Sequence, residues 1–267
     1  MHHLVMMSGG AGSWAAGKRV VERYGAENTT LLFADTKFED EDTYRYLKEA
    51  SENIGAKLEI IADGRDIWQV FVDVRFMGNH RVDPCSAKLK REALNKWIKA
   101  RYRPDEVIVY VGIDWTEEHR FKRLAERVKP YIYDAPLLWE PKIAKPQIME
   151  WSKAEGLKQQ RLYDIGMPHA NCGGGCVKAG QAHWKNLWEK WPERYELWES
   201  KEQWVHEQAK TAEKPWKPLP FLGMTRNGEK TYVTLKDFRE QVLEPGGVQL
   251  DLFDWGGCGC FVDTEDD

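Results

Sequence analysis

No run of eighteen apolar residues occurs in the 267-residue chain, which excludes a single hydrophobic helix long enough to cross a membrane. The apolar start at Leu4 is short and no cleavage region follows it, so no secretory signal is expected and the chain reads as cytoplasmic. Neither charge sign is in large excess: 39 Lys and Arg stand against 43 Asp and Glu, a formal net charge of -4. That balance supplies no broad basic field for nucleic acid, although a local patch can hide in such a sum. Internal repeats and low-complexity tracts are absent, which excludes a repeat array. Cysteine is scarce and odd in number at five, a poor basis for a disulfide scaffold.

With 42% hydrophobic and 31% charged residues, the chain can bury a substantial core. Apolar strand runs at His3–Met7, Thr30–Ala34, Leu58–Ile61 and Val107–Gly112 are each followed by a helical or polar segment, with a short edge-strand candidate at Tyr131–Asp134. Helix candidates are Trp14–Tyr24, Glu41–Asn53, Lys88–Ala100 and Glu117–Val128. That alternation predicts an α/β fold, a Rossmann-like parallel sheet flanked by helices. Such sheets bind ligands beyond the carboxyl ends of their strands, where "SGGAGS", "ADTKFED" and "GIDWTEEHR" fall. Beyond about residue 140 the texture changes, which divides the chain into an α/β domain over 1–140 and a smaller helical, Cys- and Trp-rich region over 141–267. There Trp184, Trp188, Trp191, Tyr195 and Trp198 recur at three- and four-residue steps, broken by Pro192. These aromatics read as core-facing rather than base-stacking, because acids and bases alternate with them equally. Lys214–Pro220 is an extended connector, and Leu235–Val242 a short helix after the turn at "RNGEK".

Two phosphate motifs overlap at the amino terminus. Gly12 to Lys18 spells the start of a Walker A loop, but Arg19 occupies the place of the Ser or Thr that would meet magnesium. The other motif is the strand Leu4–Met7, the turn Ser8-Gly9-Gly10 and a helix opening near Ser13. Both motifs leave backbone N–H groups at a helix start facing an anion. The cysteines fall as Cys85 alone, Cys172 and Cys176 in "NCGGGC", and Cys258 and Cys260 in "GGCGC", a placement that suits metal or redox chemistry. His169 and His183 flank the cysteine loop and read as loop or core residues.

Over about residues 3–180 the chain resembles the PP-loop (adenine nucleotide alpha hydrolase-like) superfamily, and within it the phosphoadenosine phosphosulfate (PAPS) reductase-like family. The resemblance rests on an ordered set: Ser8-Gly9-Gly10-x-x-Ser13, "FADTKFEDEDTY", "PCSAKLK", "GIDWTEEHR", "APLLWEP" and "RLYDIGMPHANCGGGC". It favours the PP-loop over Walker A and implies a HUP-type sheet. It also implies that the turn from Ser8 and Gly9 through Gly10, Ala11 and Gly12 to Ser13 cradles the phosphates of ATP or a related adenine nucleotide, through its N–H groups and two hydroxyls. Ala34, Asp35 and Thr36 would line the adenine or ribose site, with Asp35 equally able to cap its turn. Gly112 allows a close backbone approach, and Arg120 would reach phosphate or substrate. Lys88, Lys90 and Lys178 would neutralise phosphates or contact a nucleic acid, or simply be solvated.

The sequence departs from the family pattern in its cysteine spacing and its tail "GCGCF", and at two positions of the nucleotide site. Gly12 stands where nucleotide-cleaving members carry an Asp that helps hold magnesium, which makes a magnesium site doubtful. Asp114 replaces the Arg of a Gly-x-Arg, removing a cation that a sulfated substrate would use. By resemblance, Cys85, Cys172, Cys176 and either Cys258 or Cys260 would ligate a [4Fe–4S] cluster, with zinc as the alternative. A catalytic thiol among Cys258 and Cys260 is the other reading of the tail.

The implied activity is adenylation of an acceptor, a nucleic acid or a small molecule, followed by sulfur transfer from a sulfur donor. One alternative is a PAPS or APS reductase that releases sulfite with a thioredoxin-like reductant. Another is a nucleotide-sensing module without turnover.

Overall fold

Leu4–Met7 contains no polar side chain, and these four residues are at most 4% exposed, as a strand covered on both faces requires. The computed structural model describes residues 1–226, 229–244 and 254–256. In it the stretch is the heart of β1 (His2–Met7), followed by α1 (Ala11–Tyr24), β2 (Thr29–Asp35), α2 (Glu41–Ile54), β3 (Lys57–Ala62) and α3 (Ile67–Val74). A π-helical turn at Ser86–Glu92 runs into α4 (Ala93–Lys99), and β4 (Val107–Tyr110), α5 (Glu118–Arg127) and β5 (Ile132–Asp134) complete the layer. All five strands are parallel, in the order β3-β2-β1-β4-β5. This is the Rossmann-like α/β sheet that the sequence pattern predicts, and its strand order reverses between β1 and β4.

Alternate residues of the central strands divide the core. Val5, Met7, Leu31 and Phe33 pack with α1 and α2 on one face, whereas Leu4, Met6, Leu32 and Ala34 pack with α4 and α5 on the other. Beyond the sheet come α6 (Lys145–Ala154), α7 (Arg161–Asp164), α8 (Gln181–Lys190) and α9 (Pro192–Thr211). The antiparallel hairpin β6 (Leu222–Arg226) and β7 (Glu229–Val233) leads to α10 (Leu235–Phe238) and a second π-helical turn at Arg239–Leu243. Among the described residues no helix is long and apolar enough to cross a membrane.

Besides the four-residue α7, two elements exceed the sequence expectation. The helix α3 carries "IWQVFV", whose β-branched and aromatic residues hide a helical period. Its start is nevertheless specified by a capping box, in which the Asp66 carboxylate accepts from Gln69 N–H at 2.8 Å and Asp66 N–H donates to Gln69 Oε1 at 2.8 Å. The other element is the β6–β7 hairpin. The expected helix over Glu117–Val128 begins one residue later, because the Asp114 carboxylate accepts from Thr116 N–H at 2.9 Å and closes a 3-10 turn over Trp115–Glu117 first. Arg120 therefore lies in the first turn of α5.

The tryptophan-rich stretch is core. Trp184, Tyr195 and Trp198 are at most 1% exposed, and they pack with Trp68 and Phe71 of α3. Pro192 sits at the first position of α9, where the missing N–H is no loss. Glu202 of α9 is fully buried and accepts from Leu235 N–H at 2.7 Å. Burial drives its pKa up to about 8, against the lowering effect of that hydrogen bond and reinforced by Glu199 and Asp237. The folded protein thus binds this proton more tightly than the unfolded chain, whose carboxyl titrates near 4.5. Its contribution to stability is fully present below about pH 4.5 and is lost as pH rises towards 8. Glu202→Gln should therefore stabilise the protein by about 4 kcal/mol at pH 8 and by under about 1 kcal/mol at pH 5, as urea unfolding at the two pH values will read. An equal effect at both would refute a buried, proton-binding carboxyl.

Candidate functional site

The strand-order reversal places the ends of β1 and β4 side by side, the position at which such sheets open a crevice. After Met7 the chain turns through Ser8, Gly9 and Gly10 into α1. Gly9 holds a left-handed φ of +77°, and a Cβ there would stand 2.6 Å from Thr43 Cγ2, so only glycine fits without rearrangement. The end of β4 presses against the same turn. A Cβ on Gly112 would lie 2.8 Å from the Gly12 carbonyl and from Ser13 N.

Ser8 and Ser13 brace this turn. Ser13 Oγ accepts from Ser8 N–H at 3.1 Å and donates to the Gly10 carbonyl at 2.8 Å, while Gly10 N–H donates to Ser8 Oγ at 3.3 Å. The Ser13 and Trp14 N–H groups both reach the Gly10 carbonyl, at 3.1 and 3.3 Å. Within the described residues this leaves the N–H groups of Gly9, Ala11 and Gly12 with no acceptor. Gly10 caps α1 without a side chain, and the first turn of the helix carries no acid. Three unpaired donors at the positive end of a 14-residue helix form an anion cradle. No carboxylate stands in that first turn to hold magnesium beside it.

The cradle has cationic and aromatic neighbours. The Tyr163 hydroxyl lies 3.4 Å from the position of a Cβ on Gly10. Lys145 stands 5.5 Å from the centre of the Tyr163 ring and donates to the Pro168 carbonyl at 2.9 Å. Burial lowers His169 to about 4, helped by the charges of Lys145, His183 and Arg120, so His169 is a neutral imidazole at physiological pH. Arg120 is paired with Glu117, and its Nε is buried without a partner among the described residues.

At the end of β2, Ala34 and Thr36 are each 1% exposed. The Asp35 carboxylate accepts from Lys37 N–H at 2.8 Å and from the Tyr44 hydroxyl at 2.7 Å, which makes it a turn cap in this structure. Thr36 donates to Glu39 Oε1 at 3.0 Å. Glu39 is also 3.3 Å from Lys90 Nζ in an ion pair whose side chains are 0% and 1% exposed. Its other oxygen accepts from Cys172 N–H at 2.5 Å. Lys90 is thus a buried structural cation, whereas Lys88 pairs with Glu92 at 2.6 Å on the surface. Lys178 is buried, and its ammonium donates to the Arg81 carbonyl at 3.4 Å.

Cys85, at the head of the first π-helical turn, and Cys172 are buried; Cys176 is half-buried, and its Sγ accepts from Lys178 N–H at 3.4 Å. The three pack into one apolar cluster. Among the described residues no three His, Cys, Asp or Glu side chains are grouped closely enough to hold a metal ion. Cys258 and Cys260, the expected tail ligands, lie outside the described residues. The cysteine loop is fixed from α8 and α9, where His183 Nε2–H donates to the Gly174 carbonyl at 2.7 Å and Arg194 donates to the Gly173 carbonyl at 2.6 Å.

Glu39, Lys145, Tyr163, His169 and Arg194 were not marked for these contacts by the sequence, because each partner is brought in by folding from a distant segment. A cavity of about 290 Å³ lies elsewhere, between α4 and α5 over the Met6 and Val111 face of the sheet.

The buried pair sets a stability contrast. Glu39→Ala leaves Lys90 buried without its carboxylate and should cost about 3–5 kcal/mol. Lys88→Ala removes an exposed pair and should cost under about 0.5 kcal/mol. Denaturant unfolding of both variants checks this, and equal small losses would contradict the ion-pair assignment.

No family model matches the sequence, and no curated protein matches it. Among solved structures, the fold is similar to a phosphoadenylyl-sulfate (PAPS) reductase from Candida auris in a phosphate complex, at 14% identity and a TM-score of 0.46, over 64% of this chain and 81% of that one. It is also similar to the U34-tRNA thiolase NcsA from Methanococcus maripaludis with its [4Fe–4S] cluster, at 16% identity and a TM-score of 0.46, over 77% of this chain and 72% of that one. Both likenesses are likenesses of fold.

Proposed function

We propose that the chain is a PP-loop enzyme that binds ATP or a related adenine nucleotide at the β1–α1 turn and activates an acceptor by adenylation for sulfur transfer. The observation that carries this reading is the set of three unpaired N–H groups, on Gly9, Ala11 and Gly12, at the start of α1 and at the strand-order reversal. In the proposed reaction an acceptor oxygen attacks the α-phosphorus, the bond to pyrophosphate breaks, and the cradle stabilises the charge of the departing pyrophosphate. Sulfide-level sulfur brought by a donor then attacks the activated carbon and AMP leaves, carrying away the acceptor oxygen.

In this reading Lys145, beside the Tyr163 ring at the turn, supplies positive charge to the cradle, and Arg120 is a phosphate or substrate contact. A [4Fe–4S] cluster or zinc requires four converging donors, and the described thiols Cys85, Cys172 and Cys176 do not form such a set. No step of the proposed reaction runs through either. Ala34 and Thr36 border the nucleotide site in this reading, with Asp35 shaping the turn beside them.

Calorimetry with ATP and with pyrophosphate tests the first step. The wild type should bind both competitively, and Gly9→Ala, which drives a Cβ into Thr43, should bind at least about tenfold more weakly, the equivalent of about 1.4 kcal/mol. A wild type that binds neither anion would defeat the proposal.

A further inference from the structure

Gln160 precedes α7 and is 0% exposed, yet among the described residues neither its Oε1 nor its Nε2 has a hydrogen-bond partner. Its neighbours are mostly bonded, and of the adjacent Gln159 only Oε1 lacks a partner among the described residues. Gln159 donates to Ser152 Oγ, Arg161 binds the Asp40 carboxylate, and Thr43 donates to the Ala170 carbonyl at 3.2 Å. The Gln160 backbone carbonyl accepts from Tyr163 N–H at 3.0 Å. Only the carboxamide of this residue is left with both ends unmet.

Its place explains why that matters. Gln160 Nε2 lies 3.9 Å from where a Cβ on Gly9 would stand, so the amide abuts the turn whose own N–H groups await an anion. A buried amide with neither end bonded weakens the folded state, and native proteins retain few such groups. Leucine or methionine would fill nearly the same volume without that penalty, so packing alone gives no reason for glutamine here. A ligand does: a phosphate in the cradle offers oxygens that accept, and a nucleotide also offers sugar hydroxyls that donate. A carboxamide carries the matching donor and acceptor on one neutral group.

We infer that Gln160 is a ligand-binding residue of the cradle, its Nε2 donating to a phosphate oxygen and its Oε1 accepting from a hydroxyl of the same ligand. The ligand class is then a phosphate ester bearing a hydroxylated sugar rather than a bare oxyanion. The inference rests on the nucleotide reading above and adds to it a residue and a requirement on the ligand.

Gln160→Leu and Gln160→Met test it together, with ATP and inorganic pyrophosphate as probes and thermal unfolding of the unliganded protein beside the titrations. The expected result is ATP affinity reduced at least about tenfold, pyrophosphate affinity reduced less, and a melting temperature unchanged or raised, because a buried polar group without partners has been removed. ATP affinity equal to wild type overturns the assignment while leaving the nucleotide reading intact. So does a lowered melting temperature in both variants, whatever the affinity, because it marks a structural amide, and so does an equal loss for the two probes. A wild type that binds neither probe overturns the nucleotide reading itself and this inference with it.

Discussion

Glu39 and Lys90 form an ion pair with almost no solvent contact, and three pieces of chain depend on it. Glu39 belongs to the loop between β2 and α2, Lys90 to the π-helical turn after Cys85, and the free carboxylate oxygen holds the amide of Cys172. Removing either charge leaves the other stranded in a medium where an unpaired charge is costly. The loop bordering the sheet's ligand crevice, the segment of the first cysteine and the loop of the next two are therefore mutually fixed. Neither cysteine segment can shift without disturbing the end of β2. The geometry of the thiols is thus set from the sheet outward.

The anion cradle obeys a similar economy of parts. Both serine hydroxyls are spent on shaping the turn, which leaves the turn's own backbone N–H groups rather than its side chains to meet a ligand. Backbone donors are held by the fold itself and need little ordering when charge arrives. The close approach of Gly112 closes the turn from the β4 side, so the site belongs to two strands that are far apart in sequence. Gln160 and Tyr163 close it from a third direction.

Much of this was legible in the sequence. The central strands are continuous apolar runs, and β1, β2 and β4 appear within a residue or two of their expected limits because nothing polar interrupts them. The glycine turn was legible because its conformation demands residue types that little else demands. The helix α3 was not, since Trp68, Val70 and Phe71 serve a buried helix and a buried strand equally well. Lys90 was indistinguishable from its neighbour Lys88, as charge in a sequence carries no label for burial. The tail cysteines Cys258 and Cys260 fall outside the described residues, and their roles remain as the sequence alone suggested them. Gln160 could not have been singled out, because an unmet hydrogen bond exists only in three dimensions.

The pairing of β1 with β4 carries a consequence for how the molecule assembles. The two strands are adjacent in space but separated by the whole length of β2, β3 and the intervening helices. Closing so long a loop costs entropy before any contact is gained, and parallel pairings of this kind form slowly. Until Val107–Tyr110 docks, one edge of β1 has open hydrogen-bonding groups and the crevice has only one wall. On the reading of this turn as an anion site, a crevice with both walls needs the β1–β4 pairing, and a ligand of the complete site would report that pairing rather than formation of the turn alone.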